Sequence, residues 1–399
     1  MKKLKSFLRK NYFLYYNVLG DDYLYAPINK KHKKFTKSNE CIDLTELKLL
    51  DERVRNSILI RYIEEKSVEI SASRLERLIE SDFTKEINPF EVYIKNLEPF
   101  NGDSELNKLF KAVKTKDTDY FEWALKKWLV AFVASALEDG ISNHQMIVLM
   151  GKQGIGKSTW CERLLPPVLR DYYYGGEFNP FNKDHLAYLS DRLIINVDEM
   201  SGYNKRTFGA FKDIVTKPGY SIRRPYGRRN NNFIRRASFM GSTNDKQILL
   251  DLTGNRRFLC FEVESIDYDY NINYDLLYSE LYDLYKSGFK YWFDNKGDDI
   301  KRIEDHNENY LQKSLEEEII LNNVVNYRKY DKNLLEQIEF KWLTATELIE
   351  KLHPYTPKGY KLNNSMLGKI LTKEDFEFKK SNGTRKYHLY IRPQAESLN

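Results

Sequence analysis

The apolar run Met146-Ile147-Val148-Leu149-Met150 leads directly into Gly151-Lys152-Gln153-Gly154-Ile155-Gly156-Lys157-Ser158. These residues match G-x-x-x-x-G-K-[ST] at every fixed position. Thr159-Trp160-Cys161-Glu162-Arg163-Leu164-Leu165 then reads as the first turns of a helix. A buried strand, a glycine loop and a helix are the context such a loop needs. The glycines let backbone N–H groups turn inward around phosphate oxygens, and the helix start adds partial positive charge. This order predicts an α/β core that binds a nucleoside triphosphate, with ATP and Mg²⁺ as the expected cofactors. The expected contacts are Gly151, Gln153, Gly154, Ile155, Gly156, Lys157, Ser158 and Thr159. Lys157 is expected on the β- and γ-phosphates and the Ser158 hydroxyl on Mg²⁺.

A second apolar strand, Arg192-Leu193-Ile194-Ile195-Asn196-Val197, ends in Asp198-Glu199 and lies 41 residues beyond Lys157. Asp198 is the expected Mg²⁺ ligand, and Glu199 the group that polarises the attacking water. The strand Phe233 to Met240 runs into Gly241-Ser242-Thr243-Asn244, which puts a polar amide, Asn244, where it can position water and sense the γ-phosphate. Gly254-Asn255-Arg256-Arg257-Phe258 follows. A guanidinium suits a transferring phosphoryl group, so Arg256 or Arg257 is the candidate to complete a neighbouring subunit's site.

Charge is unevenly spread over a chain whose net charge is +6. Met1 to Glu40 holds ten Lys/Arg against three Asp/Glu, and Tyr220 to Phe239 holds six Arg and no acid. Such clusters point to a polyanion partner. Pro225 and Gly227 favour a turn, so Tyr220 to Asn232 is expected to be a hairpin. Arg223, Arg224, Arg228 and Arg229 would grip a phosphate backbone, and Tyr226 would stack on a base. Cys41, Cys161 and Cys260 are far apart and form no C-x-x-C, so neither a disulfide framework nor a zinc site is encoded. Arg9 and Lys10 break the apolar stretch after the basic start, and the longest apolar run, Trp128 to Leu137, is half a membrane span. A cytoplasmic protein with no membrane partner is expected.

Three regions are expected. Residues 1–100 form a basic, mostly helical N-terminal region whose first 40 residues are a short folded element or an arm. Within it Ser73 and Glu76 have capping-box spacing. Residues 101–325 form the ATPase domain, with helices at Tyr120–Glu138, Tyr278–Trp292 and Glu304–Asn323 and strands at 146–150, 193–197, 233–240 and 258–263. Residues 326–333 read as a linker. Residues 335–399 form a winged-helix-like domain, with helices at 344–352 and 363–372 and a hairpin around Ser381-Asn382-Gly383. Its candidate nucleic-acid contacts are Lys369, Lys379, Lys380, Arg385 and Lys386.

Taken together, the P-loop, the Val-Asp-Glu strand, Arg223-Arg224-Pro225-Tyr226-Gly227-Arg228, Asn244-Asp245 and Asp251-Leu252-Thr253-Gly254-Asn255-Arg256-Arg257-Phe258 resemble the virulence-associated protein E family. The resemblance covers residues 85 to 325. It implies a P-loop ATPase of phages and mobile elements, similar to superfamily 3 helicases of the AAA+ class. It further implies a homo-oligomeric ring, commonly a hexamer, with ATP at each interface and single-stranded DNA in the channel. The tail resembles a small C-terminal domain attached to such ATPases in Bacteroidetes. Relatives often carry a primase, whereas residues 1–100 hold only Asp21-Asp22 as a tempting acidic pair, so a separately encoded primase is the expected partner. The leading reading is a DNA helicase or translocase. A regulatory or defence ATPase that uses nucleotide as a switch, and an origin-melting initiator, are the alternatives.

Overall fold

Successive residues of Met146–Met150 enter two different cores. Ile147 and Leu149 pack with Trp128, Phe132, Leu259 and Phe261, while Met146, Val148 and Met150 pack with Phe178, Phe211, Phe239 and Cys260. A strand with period-2 side chains and no polar face must be covered on both sides. This explains the layering of the larger part of the molecule. The computed structural model describes residues 1–28, 42–222, 231–250, 254–294, 297–329, 338–381 and 383–393. It divides into two compact units, Met1–Leu311 and Gln312–Asn399.

The N-terminal stretch, read as an element or an arm, folds over residues 1–28. Helix α1 (Lys2–Asn11) leads into the antiparallel strands β1 (Tyr12–Asn17) and β2 (Asp22–Pro27). The basic run Lys30–Lys34 lies outside the described residues. Next come β3 (Lys48–Leu49), α2 (Glu52–Lys66), α3 (Ala72–Ile79) and β4 (Lys85–Ile87), giving a four-stranded sheet of order β3-β2-β1-β4. Leu4, Phe7, Leu8, Ile58, Tyr62 and Leu75 form a core of their own beneath it. The capping box expected at Ser73 and Glu76 is not made. Helix α3 starts two residues earlier, with Ser71 as N-cap and no side-chain cap bond.

Helices α4 (Pro89–Lys95) and α5 (Leu106–Lys111), strand β5 (Val113–Thr115) and helix α6 (Thr118–Leu137) follow. Helix α6 is buried nearly all round, and Trp128 donates from Nε1 to the Gln145 carbonyl at 3.0 Å, just before the glycine-loop strand. Full burial of side chains such as Phe132 stabilises by about 1.5–3 kcal/mol each.

The main sheet comprises β6 (Met146–Met150), which leads into α7 (Lys157–Glu162), then β7 (Tyr173–Gly176), α8 (Lys183–Asp191), β8 (Ile194–Asp198) and α9 (Lys205–Thr216). It continues, beyond a two-stranded pair β9 (Gly219–Ile222) and β10 (Asn231–Ile234), with β11 (Ser238–Thr243) and β12 (Phe258–Ile266). The strand order is β5-β12-β6-β11-β8-β7, with β5 antiparallel at one edge and the other five parallel. The chain fills the sheet on one side of β6 and then returns to pair β12 on the other. The carboxyl end of β6 is therefore a topological switch point, where open α/β sheets bind ligands. Helices α10 (Tyr274–Lys286) and α11 (Asp298–Asn307) complete the unit.

Two expected elements are split. Phe233–Met240, read as one strand, is the end of β10 and the start of β11, which lie in different sheets. Between them Arg235 is fully buried. Its guanidinium donates to the carbonyls of Lys217 (2.8 Å), Ala237 (2.6 Å), Asn143 (3.0 Å) and Val215 (2.9 Å), and this turns the chain. Glu304–Asn323, read as one helix, breaks after Asn307. The buried Asn307 amide donates to the carbonyls of Asn255 (2.9 Å) and Phe258 (2.8 Å).

The second unit therefore starts before the expected boundary at residue 325. Helix α12 (Leu315–Asn323), with Ser314 as N-cap, contributes Ile319 and Ile320 to this unit's core. Strands β13 (Val324–Asn326) and β14 (Lys341–Thr344), helices α13 (Ala345–Leu352) and α14 (Asn364–Lys373), and the hairpin β15 (Phe378–Ser381) and β16 (Thr384–Ile391) follow. Strand β16 pairs with β13, β14 and β15. Thr344 and Glu347 form the capping box their spacing predicts.

Candidate nucleotide-binding site

The glycine loop hangs from β6 at the switch point. The Gly151 amide donates to the Thr243 carbonyl of β11 at 3.1 Å, so the loop starts anchored to the neighbouring strand. Gly154 (φ 80°) and Gly156 (φ 91°) take left-handed backbone conformations, which turn the chain sharply before α7. At Gly156 a Cβ would fall 2.6 Å from Cδ1 of Tyr268, so the ring rests directly on the loop backbone.

Lys157, the first residue of α7, is buried and folded back over the loop. Its ammonium donates to the carbonyls of Gly151 (2.7 Å) and Lys152 (2.8 Å) and lies 3.3 Å from Oδ1 of Asn244. Burial pulls its pKa below the ordinary value, while Glu199, Cys161 and Asp198 oppose that shift. One turn of contact away, three donors converge on Asp198 Oδ1: the hydroxyls of Ser158 (3.0 Å) and Ser242 (2.7 Å) and the amide of Asn196 (2.8 Å). Hydroxyl and carboxylate oxygens side by side are the donor set that a hard divalent cation takes. Among the described residues no cluster of three or more His, Cys, Asp or Glu forms a metal site, so any cation here would rest on Ser158, Asp198, water and ligand oxygens.

Glu199 is exposed, next to Asp198, and its backbone is left-handed (φ 56°). Its amide donates to the Ser242 carbonyl at 3.0 Å, which fixes the turn out of β8. Met200 then seats over Gly241, where a Cβ would fall 2.4 Å from Met200 Sδ. The glycine in Gly241-Ser242-Thr243-Asn244 is thus what lets the acidic turn lie flat on β11.

The structure brings Lys157, Ser158, Asp198, Glu199 and Asn244 together. It places Arg256 and Arg257 elsewhere. They precede β12, beside the start of β6 rather than its end, since Phe258 pairs with Met146 and Glu262 with Met150. Arg256 is exposed, whereas Arg257 is half-buried and turned toward the Gly254 carbonyl at 3.5 Å. Arg223, Arg224, Tyr226, Arg228 and Arg229 lie outside the described residues. Ile222 and Asn231, on either side of them, are antiparallel partners.

A model of the virulence-associated protein E-like domain matches residues 94–312. The chain belongs to the virulence-associated protein E-like domain family. No curated protein matches it. Among solved structures, the apo C-terminal region of NrS-1 aligns over 98% of both chains at 15% identity, with a TM-score of 0.48. Two A-form apo structures of that region align over 98% of both chains at 13% and 15% identity, each with a TM-score of 0.46.

Within the family domain, three site residues escape a reading of sequence alone. Asn196 and Asp198 are two apart on β8 and so share a face, and Ser242 is register partner to Asp198 across β8 and β11. The apolar strand pattern contained that signal once the pairing was known. Tyr268 carries no local signal. It reaches the loop because β12 lies beside β6, and Arg163 holds it there by donating to the carbonyls of Tyr268 and, at 2.9 Å, Tyr270. Among the described residues no helix is long and apolar enough to cross a membrane.

Proposed function

We propose that this protein is an ATP-dependent DNA helicase or translocase that acts in replication of a mobile element or prophage. The observation that carries the reading is the convergence of Lys157, Ser158, Asp198, Glu199 and Asn244 at the carboxyl ends of three adjacent parallel strands. The strand order around β6 supports an AAA+ core, and the second unit, with α13, α14 and a hairpin, supports a winged-helix-like module.

The amides of Gly151 to Thr159 would cradle the triphosphate of ATP, and Lys157 would exchange its loop carbonyls for β- and γ-phosphate oxygens. Ser158 and Asp198 would hold Mg²⁺, which, when bound, neutralises charge developing on the phosphates. Glu199 orients and polarises the attacking water, and Asn244, already beside Lys157, reads the γ-phosphate. Arg256 is exposed and lies beside the start of β6, away from its own chain's loop, which supports donation to a neighbouring subunit in a homo-oligomeric ring, with a hexamer favoured. Arg223, Arg224, Arg228 and Arg229, at the connection between β9 and β10, would grip single-stranded DNA with Tyr226. A separately encoded primase is the fitting partner.

The test is ATP hydrolysis with and without single-stranded DNA, using Glu199→Gln as control. Strong stimulation by DNA, and its loss in the variant with ATP still bound, is expected. Turnover indifferent to DNA would replace the motor by a nucleotide switch.

A further inference from the structure

The second unit carries a groove of about 590 Å³ between helices α13 and α14 and the β15–β16 hairpin. We propose that this groove binds double-stranded DNA, independently of the nucleotide site.

Helix α14 has two chemically distinct sides. Leu367, Ile370 and Leu371 are buried in the core of the unit, while Asn364, Ser365, Lys369 and Thr372 are exposed along the groove. Gly368 lies between them and keeps the floor of the groove low. Helix α14 has ten residues, and a helix diameter of about 10–12 Å matches the roughly 12 Å width of a B-DNA major groove. Amide, hydroxyl and ammonium groups at such positions are the groups that read base edges and phosphates.

The hairpin adds the cations. Lys380 pairs with Arg385 on the sheet face that Arg385 shares with Tyr387 and the groove, and Lys379 pairs with Lys386 on the opposite face, beside Trp342. Like charges opposed in this way repel unless a polyanion joins them. Among the described residues neither they nor Lys369 make a salt bridge. The acids of the same segment are occupied elsewhere. Glu374 pairs with Lys329 (3.0 Å), Asp375 with Arg328 (2.7 Å) and Glu377 with His388 (2.9 Å). Glu347, at the start of α13, is turned back onto the Thr344 amide (2.7 Å) and hydroxyl (2.9 Å), where it also feels the charge of Lys386 on the face away from the groove. Arg385 is tied to the helix by a 3.4 Å bond to the Thr372 hydroxyl.

A cation already lies over each of two aromatic rings of this sheet, which fits a duplex ligand better than unstacked bases. Trp342 is stacked on His388 with centroids 4.5 Å apart, and Lys379 sits 4.1 Å from its centroid. The Arg385 guanidinium covers Phe378 at 4.7 Å. Unstacked bases need open aromatic faces, and these rings instead hold cations in position. What is left for DNA is phosphate contact and polar groove readout.

The experiment titrates full-length protein onto a fluorescent blunt duplex about two helical turns long and onto a single strand of the same length, over a range of salt. In Lys369→Ala/Lys380→Ala/Arg385→Ala the duplex Kd should rise at least about tenfold. The log–log salt slope should fall by about 0.9 for each lost phosphate contact. Single-strand affinity, DNA-stimulated ATP hydrolysis and melting temperature should stay unchanged, and Lys157→Ala should keep its duplex affinity. Ala345→Glu/Thr384→Glu, which adds acids to the groove and removes none of the hydrogen bonds described above, gives the same duplex loss and keeps the test decisive if the triple variant is destabilised. Duplex affinity within twofold of the parent in both folded variants overturns the proposal. So does an equal loss on single strand and duplex.

Discussion

Ser242 Oγ donates to Asp198 Oδ1 at 2.7 Å across two paired strands, so the carboxylate is aimed by the strand beside it rather than by its own loop. The same β11 anchors the Gly151 amide and the Glu199 amide through the carbonyls of Thr243 and Ser242. One strand thus sets the relative positions of the glycine loop, the acidic pair and Asn244.

Lys157→Ala should abolish detectable nucleotide binding. The ammonium is the only lysine nitrogen the described structure places on the loop carbonyls, and its loss leaves the triphosphate charge uncompensated. Equilibrium binding of a fluorescent ATP analogue measures this directly. Retained affinity would remove the loop from the site.

Arg256→Ala should cut turnover by about 10³–10⁵ while leaving ATP binding intact, because the side chain is exposed and lies at the opposite end of β12 from its own loop. Mixing it with Lys157→Ala should restore part of the turnover. Mixtures that stay inactive would argue against donation between subunits.

Replacing Arg223, Arg224, Arg228 and Arg229 with Ala should weaken single-strand binding and flatten its salt dependence by about 0.7 in log–log slope per lost contact. An unchanged slope in a salt titration would move the single-strand site elsewhere.

Arg235→Met should destabilise the larger unit by at least about 3 kcal/mol, since four buried carbonyls lose their donor at once. Urea unfolding followed by tryptophan fluorescence reads the change. A loss below about 1 kcal/mol would mean that the carbonyls find water.

Stability should fall as pH drops below about 6.5. His306 is stacked on Tyr120 at 3.8 Å, and burial pushes its pKa below the ordinary 6.5 against the opposing pull of the Cys260 carbonyl and Asp117. His144 is lowered by burial, Arg235 and Arg257. The unfolded chain then binds more protons than the folded one below 6.5, so protons favour unfolding there. Urea midpoints at pH 7.5 and 5.5 test this, and His306→Gln should narrow the difference. Equal midpoints for the parent would contradict neutral, buried imidazoles.

What was legible in the chain follows the physics of each element. Strand β6 matches its expected bounds because a doubly covered parallel strand is a continuous apolar run. The Thr344–Glu347 cap is local in sequence and so readable locally. Strand β7, Tyr173-Tyr174-Gly175-Gly176, was missed because a half-buried edge strand with two glycines looks like a turn. The β1–β2 hairpin was missed because nearly all its residues are half-buried, which erases period-2 alternation. Arg235 reads as one more surface cation in a basic stretch, yet it is fully buried, and only long-range carbonyls reveal why. Tyr268 belongs to the same class, since its place over Gly156 depends on which strand lies next to β6.

Strand β12 starts beside the arginine pair and passes the glycine loop near Val263, where a Cβ on Gly151 would touch the Val263 carbonyl. Five residues of extended chain separate the two, about 16 Å. In the ring proposed above, the arginine a subunit gives and the nucleotide it receives would be held at the two ends of one strand. Hydrolysis at one interface would then find no slack within the subunit, and the movement would pass to the next interface as displacement of a whole body.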